Sequence, residues 1–487
     1  MTQNKLYKVL VIGGGFAGLG AAIRLKEQGE TNFALLEKAS ELGGVWRENT
    51  YPGCACDVPS TLYSYSFAPN PNWSRVFARQ PEIKAYLENL ATEKQVLSKV
   101  YFNQEALEIR WSSDEQLWIV QTPDTQWKSR FIILACGPMH EPKLPEVPGI
   151  EQFQGEVFHS SQWRHDVDLQ GKRVAVIGTG ASAIQFVPEI QSKVAQLSVF
   201  QRTPHWVLPK MDTSLPAWVR GVFGKLPVTQ FLARGVTYGV FESINGGLQS
   251  PSIMRRLHSI AQWNIRRHIR DTKLQKALTP NYVLGCKRIL QSNDWYRALA
   301  ASNVQVINSA LASVSGNTVH AADGRSVQAD VIILSTGFEV AEPPIAKRVY
   351  NKNGKSMAEV WEGSPKGFLG TTVEDCPNAF LMFGPNIAVS SSAFIIMEAQ
   401  LQYISDALKK MDSVGWKGFE LNPGVANVFN NKVQKALQNT VWNKGGCQSY
   451  FIDRNGRNST AWPWSTFEMK RRLSQFELGD YQRLRKQ

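Results

Sequence analysis

Residues 7–29 read YKVLVIGGGFAGLGAAIRLKEQG. An apolar stretch, KVLVI, runs into consecutive glycines, and an alanine-rich helical stretch follows. Gly13, Gly15 and Gly18 satisfy G-x-G-x-x-G. In a strand–turn–helix unit the first glycine permits the tight turn. The second lets the backbone approach a pyrophosphate, and the third lets the helix pack closely on the strand. A second strand, FALLE, ends in Glu37, and an acid there can hydrogen-bond a ribose diol. A glycine motif alone is weak; strand, turn, helix, strand and acid in this order point to a dinucleotide-binding unit. The apolar run ahead of the glycines is short and reads as a first strand, not a secretory signal.

The arrangement recurs at residues 172–190, KRVAVIGTGASAIQFVPEI, where Gly178, Gly180 and Ala183 give G-x-G-x-x-A, with Ser182 inside the turn. The next strand, LSVF, runs into QRTP, which contains Arg202 and Thr203. From Gly13 to Glu37 is 37 − 13 = 24 positions, and from Gly178 to Arg202 is 202 − 178 = 24. One structural slot thus holds an acid in the first loop and a guanidinium in the second. An acid repels a 2′-phosphate, whereas arginine can grip it bidentately. The first loop therefore suits a dinucleotide with a free ribose, such as FAD, and the second suits NADPH rather than NADH.

Two further apolar runs ending in a small residue and glycine, RFIILACG and ADVIILSTG, mark where the chain leaves one nucleotide domain for the other. The expected fold is α/β, with two Rossmann-like dinucleotide-binding domains, the NADP domain inserted in the FAD domain. Its parts are a first FAD segment (1–140), a linker (141–171), an NADP domain (172–337) with a helical insertion at about 212–280, and a second FAD segment with the C-terminal region (338–487). AFLMFGPN at 379–386 returns the chain to the flavin and brings Asn386 there. The N-terminus of the helical stretch after it can face the flavin ring, whose reduced form is anionic. Within the linker, FQGEVFHSSQWRHD (153–166) lacks strand alternation and is too polar for a core helix. It reads as a hinge-side connection, with Trp163 a packing anchor and His159 a hydrogen-bonding group rather than an acid–base catalyst.

Of 487 residues, 43% are hydrophobic and 20% charged, ordinary for a soluble globular chain. No run of eighteen apolar residues occurs, so no transmembrane helix is expected. The six cysteines form no CxxC pair and the seven histidines no HExxH spacing. The cysteines read as reduced thiols of a cytoplasmic protein, with no metal site. The net charge of +13 gathers in RRLHSIAQWNIRRHIRDTK (255–273) and in the tail RLRKQ. These read as a solvated helix face and a frayed end in preference to a membrane surface, and no nucleic-acid motif accompanies them. Trp218, Phe223 and Phe241 in the insertion look exposed and keep a role beside lipid or a hydrophobic substrate open.

With these motifs the chain resembles the class B flavoprotein monooxygenases, and among them the type I Baeyer–Villiger monooxygenases. Phe153, Gly155, His159 and Trp163 match the FxGxxxHxxxW that family carries between its nucleotide motifs, and Arg164 departs from the Pro or Asp that follows. GGVWRENTYPGCACD (43–57) matches a second family motif through Gly44, Trp46, Tyr51, Pro52, Gly53 and Asp57. GCKR (285–288) resembles the active-site Lys-Arg pair. WNKGGCQSYFIDRNGR (442–457) resembles a C-terminal stretch of one branch, with Tyr450 where Trp is expected. The resemblance spans nearly the whole chain. It implies FAD contacts at Gly44, Trp46 and Asp57, and Lys287 beside Arg202 at the 2′-phosphate. It also implies NADPH reduction of FAD, O2 addition to give a C4a-peroxyflavin, and attack on a hydrophobic acyclic or aryl ketone to yield an ester. Arg288 is then the fixed cation beside the reacting oxygens and Asp57 the acid that orients it. A heteroatom oxygenase of the same class and a non-oxygenating flavoprotein sensor or electron carrier are the alternatives. Flavin disulfide reductases place CxxxxC just after a Gly-Gly; here Trp46 and Tyr51 fill those positions, and Cys54 and Cys56 are too close together.

Overall fold

The computed structural model describes residues 5–484, so the last three residues of the RLRKQ tail lie outside the described residues. The strand Leu6–Ile12 runs mid-sheet, parallel to Phe33–Leu36 on one side and Gln126–Leu134 on the other. Both faces are covered, which is why its apolar residues run consecutively instead of alternating. The sheet has eight strands. Val349–Tyr350, Glu108–Ser112, Leu117–Gln121, Gln126–Leu134, Leu6–Ile12, Phe33–Leu36 and Val100–Tyr101 lie in that order, and Ala379–Leu381 also pairs with Gln126–Leu134. The chain is back in this sheet at Val349–Tyr350, and Ala379–Leu381 joins its centre at AFLMFGPN.

The second sheet is all parallel: Val304–Ile307, Gln196–Phe200, Arg173–Ile177, Val331–Leu334 and Glu156–His159. The connections between domains run side by side. Lys143 N–H donates to the Gly337 carbonyl at 2.8 Å, and Glu339 N–H to the Glu141 carbonyl at 3.1 Å. The strands before these connections, Gln126–Leu134 and Val331–Leu334, belong to different sheets, and the chain passes from one sheet to the other through segments bridged at Pro142 and Phe338.

One expectation needs correction. Glu156–His159, read as linker, is the edge strand of the second sheet, in register Ile333↔Phe158 and Leu334↔His159. It escaped notice because four residues are too few to show alternation. His159 is 2% exposed, because the ring packs under the Val331–Leu334 strand end, edge-on to Phe338 at 5.7 Å. Trp163 anchors the segment edge-on to Phe158 at 5.3 Å and tilted against Phe186 at 5.2 Å.

The cysteine reading also needs correction. Cys286 and Cys447 form a disulfide with Cα atoms 6.1 Å apart, across 161 residues of sequence. Sequence spacing carries no sign of such a pair. It forms because the 283–286 turn packs on the 441–447 segment, with Val283 N–H donating to the Gly445 carbonyl at 2.8 Å. In the insertion, helices Ala217–Lys225, Pro227–Gly247, Pro251–Arg256, His258–His268 and Thr272–Leu278 follow one another. Trp218 is 72% exposed, while Phe223 and Phe241 are half-buried.

Candidate active site

Each glycine loop sits where its sheet's strand order changes direction, at the carboxyl end of the central strand. Gly13 takes φ +110° and Gly178 φ +106°. A Cβ on Gly13 would lie 2.6 Å from the Ala135 carbonyl oxygen, and one on Gly178 would lie 2.3 Å from that of Ser335. The two loops are therefore built alike against the ends of their crossover strands. The second glycines face the other way. A Cβ on Gly180 meets nothing within 4 Å, and one on Gly15 meets only the Gly44 Cα at 3.7 Å. Each leaves a bare cradle of backbone, the space a pyrophosphate requires.

Glu37 is buried at the end of Phe33–Leu36. Its carboxylate accepts from Gly14 N–H at 2.6 Å, Ala39 N–H at 2.9 Å and the Arg47 guanidinium at 2.9 Å. A carboxylate offers about four acceptor sites, so one remains for a ribose hydroxyl. Gly44, at φ +53°, brings its backbone against Gly15. Trp46 donates through Nε1 to the Tyr63 hydroxyl at 2.9 Å, and its carbonyl accepts from Gln80. The helix Ala393–Ser413 begins beside this loop. Its cap Ser392 accepts from Phe394 N–H, and Phe394 packs edge-on to Phe16 at 4.8 Å. Asn386 stands apart from these contacts: its amide donates to the Asn458 and Ala461 carbonyls and braces the C-terminal segment.

At the second loop the sequence-predicted residues converge. Arg202 is exposed, followed by half-buried Thr203, and Lys287 lies close enough to Arg202 to feel its charge. Burial first, and then Arg202, pulls the Lys287 ammonium below its usual range. Burial, with Lys287 adding to it, pushes His205 down to about 4. Two adjacent cations with a neutral imidazole beside them suit a phosphate dianion. Ser182 and buried Ala183 stand at the start of the helix Ala183–Gln191, with Ser182 near the Tyr51 hydroxyl. Arg202→Ala is expected to weaken NADPH use by about 1.5–3 kcal/mol, roughly 10- to 150-fold, and to leave NADH nearly unchanged. Steady-state kinetics with both coenzymes check this, and equal losses would remove Arg202 from the phosphate site.

Between the loops, Arg288 pairs with Asp57 at 2.5 Å. Asp57 raises the guanidinium's proton affinity further, so it stays charged at any working pH. Tyr450, held up by burial, lies within hydrogen-bonding reach of Arg288. The Cys286–Cys447 disulfide ties the segment preceding Tyr450 to the turn carrying Lys287 and Arg288. Burial pushes the Cys54 thiol up to about 12 and raises Cys56 as well, so neither is a ready thiolate.

Three residues here escaped the sequence reading. Gln185 clasps the backbone of Ala55 from the other domain, accepting from its N–H at 3.1 Å and donating to its carbonyl at 3.0 Å. It also accepts from Tyr51 at 3.2 Å. The one signal for it was an amide in the otherwise apolar turn AIQFV. Lys210 donates to the Cys56 carbonyl at 3.1 Å and lies 4.6 Å above the Phe77 ring, next to Asp57. Tyr450 was noticed only as a departure from a pattern.

His159 sits apart from this cation. Its Nδ1 accepts from Ser161 N–H at 3.2 Å and meets the Ser161 hydroxyl at 2.8 Å. Burial holds the imidazole down at about 4, against roughly 6.5 in an unfolded chain. Between those values the unfolded chain binds a proton that the native one does not, so stability falls as pH drops through this window. In His159→Gln the slope of unfolding free energy between pH 6.5 and 4 is expected to be shallower by up to about 1.4 kcal/mol per pH unit, one proton. Urea midpoints across that range measure it; an unchanged slope would mean the native ring is charged.

A family model described as pyridine nucleotide-disulphide oxidoreductase matches residues 10–228. A Baeyer-Villiger monooxygenase of Streptomyces coelicolor is 44% identical over 481 residues, covering 98% of this chain and 93% of its own. Another, from Pseudomonas aeruginosa, is 41% identical over 478 residues, covering 97% and 91%. The solved structure of an oxidized steroid monooxygenase bound to NADP matches with a TM-score of 0.87 at 26% identity, over 99% of this chain and 100% of that one. An OTEMO complex with FAD and NADP shares the fold with a TM-score of 0.87 at 23% identity, over 98% and 99%.

Proposed function

The chain belongs to the Baeyer–Villiger monooxygenases, and from that footing we propose that it inserts one oxygen atom of O2 beside the carbonyl of hydrophobic acyclic or aryl ketones, with FAD and NADPH as cofactors. The balance is ketone, O2, NADPH and a proton giving ester, water and NADP+. The observation that carries the reading is the Arg288–Asp57 pair at 2.5 Å, flanked by Lys210, Tyr63 and Tyr450, between the two glycine loops.

The bare cradles at Gly15 and Gly180 and the acceptor site left on Glu37 fit the two dinucleotides. In this reading Gly13, Gly15, Gly18, Glu37, Gly44 and Trp46, with Asn386 behind them, hold FAD. Gly178, Gly180, Ser182, Ala183, Arg202, Thr203 and Lys287 hold NADPH. Bound FAD, once reduced by NADPH, supplies the oxygen-activating chemistry. The protein's part is electrostatic and positional. Arg288 sets a permanent positive charge where negative charge develops on the substrate oxygen, and Asp57 fixes its direction. Gln185 joins the domains so that the NADPH loop and the 51–57 segment keep one spacing. Tyr63 and Tyr450, both half-buried beside the cation, shield it in part from water and favour an apolar substrate.

Turnover under 18O2 with phenylacetone, 2-decanone and cyclohexanone tests this. One labelled atom per ester and one NADPH per ester are expected, with at least about tenfold higher kcat/KM for the first two ketones, the span of a 1.4 kcal/mol preference. NADPH oxidation without ester from any ketone would overturn the reaction; preference for the cyclic ketone would overturn the substrate class.

A further inference from the structure

A surface helix normally turns its apolar stripe inward. Pro227–Gly247 does the reverse. Its outward face carries Val228, Phe231, Leu232, Val236 and Val240, exposed at 61, 67, 62, 71 and 54%. Spacings of three and four place them in one stripe. Its inward side packs Tyr238, Phe241 and Ile244 on the core and carries most of the helix's polar groups. Gln230 is buried and donates to the Asn70 carbonyl. Arg234 donates to the Thr61 and Ser64 carbonyls and pairs with Glu398 at 3.5 Å. Glu242 accepts from Thr466, and buried Asn245 donates to the Trp464 carbonyl. The polar residues that would solubilise this helix are therefore spent holding it to the body. Trp218, on the preceding helix Ala217–Lys225, extends the exposed apolar surface.

The charge around this face has one sign. Besides the inward Arg234, residues 213–270 contain Arg220, Lys225, Arg255, Arg256, Arg266, Arg267 and Arg270 against a single acid, Glu242, which is already engaged by Thr466. In the adjoining helices Pro251–Arg256 and His258–His268, exposed Ile253, Leu257, Ile260 and Trp263 alternate with exposed Arg255, Arg256, Arg266 and Arg267. Among the described residues no helix is long and apolar enough to cross a membrane.

We propose that the outward face of this insertion docks on an anionic phospholipid bilayer, lying in the plane of its interface. An apolar stripe with tryptophans and arginines around it matches the acyl–headgroup boundary, where apolar area and cationic charge are both satisfied. Charge complementarity selects this occupant over a second copy. Two copies joined through this face would bring matching arginine clusters together, whereas anionic headgroups neutralise them.

The test is flotation of the FAD-loaded protein with vesicles of phosphatidylcholine alone and of phosphatidylcholine with 30% phosphatidylglycerol, at 50 and 500 mM NaCl. Wild type is expected to float with the anionic vesicles at low salt, and roughly tenfold less with the neutral ones or at high salt. Phe231→Glu and Val236→Glu, made singly and together, are expected to cut flotation at least about tenfold while flavin content and turnover of a water-soluble ketone stay at wild-type level. Arg266→Gln with Arg267→Gln, which leaves the apolar stripe untouched, is expected to reduce binding to the anionic vesicles alone. Wild type remaining with the pellet at low salt, or glutamate variants floating as well as wild type, would overturn the proposal. So would a soluble dimer seen by sedimentation velocity that both glutamates dissolve, since the face would then belong to a second copy.

Discussion

Arg288→Ala is expected to leave the protein folded, loaded with FAD and reducible by NADPH, while ester formation falls by about 10²–10³, the usual cost of removing one fixed donor to a developing oxyanion. The two half-reactions make different demands. Hydride transfer needs the nicotinamide and flavin stacked, which depends on the glycine loops and the Gln185 clasp. Oxygen insertion builds negative charge on the reacting oxygens, and in the proposed reading half-exposed Arg288, 2.5 Å from Asp57, is the cation that meets it. Raising or lowering pH cannot substitute for it, because Asp57 strengthens the proton affinity of a group already charged throughout. Arg288→Lys keeps a charge but loses the planar fork that pairs with a carboxylate while still donating elsewhere, so partial recovery is expected. Asp57→Ala is expected to fall between wild type and Arg288→Ala, since the guanidinium survives without its guide. Flavin bleaching under nitrogen and ester yield in air separate the two half-reactions. Ester at near wild-type rate from Arg288→Ala would remove it from the active site.

The elements that could be read from the sequence are those whose reason is local. Gly13 and Gly178 are glycines because a backbone turn at positive φ meets a carbonyl of the crossover strand, and that requirement travels with the strand–turn–helix pattern. The equal spacing of Glu37 and Arg202 does not mark one slot: Glu37 follows directly on Phe33–Leu36, whereas buried Gln201 holds that place after Gln196–Phe200 and exposed Arg202 lies one residue beyond. What stayed hidden depends on distant partners. Glu156–His159 becomes a strand only because Val331–Leu334 is there to pair with it. Cys286 and Cys447 look like two ordinary thiols until the 283–286 turn lies on the C-terminal segment. Gln185 reads as one polar residue in an apolar turn, yet it is a contact through which one nucleotide domain grips the other. The inverted face of Pro227–Gly247 was obscured for a similar reason. Apolar residues at helical spacing look the same whether they turn toward a core or away from it, and only the carbonyls that Arg234 meets reveal which side is inward.

Two alanines in the glycine loops are expected to act by opposite routes. In Gly18→Ala the new Cβ would stand 1.8 Å from the Gly13 carbonyl oxygen, backbone that cannot rotate aside. The helix Phe16–Glu27 would have to lift from Leu6–Ile12, disturbing Val11, Leu19 and Ala22, all fully buried. Overpacking of this kind costs about 3 kcal/mol, and the turn that cradles the pyrophosphate shifts with the helix. The purified protein is expected to be largely free of flavin and to unfold at markedly lower denaturant. Gly180→Ala meets nothing within 4 Å, so it is expected to keep wild-type stability and full FAD. The methyl group instead fills the space through which the second loop's backbone reaches a pyrophosphate, so the Kd for NADP+ is expected to rise at least about tenfold, the equivalent of 1.4 kcal/mol. Flavin-to-protein ratio, denaturant midpoint and NADP+ titration on both variants distinguish the routes. If Gly180→Ala binds NADP+ as wild type does, the open side of that glycine does not face the coenzyme. If Gly18→Ala keeps its flavin and its stability, close packing of helix on strand is not what the third glycine provides.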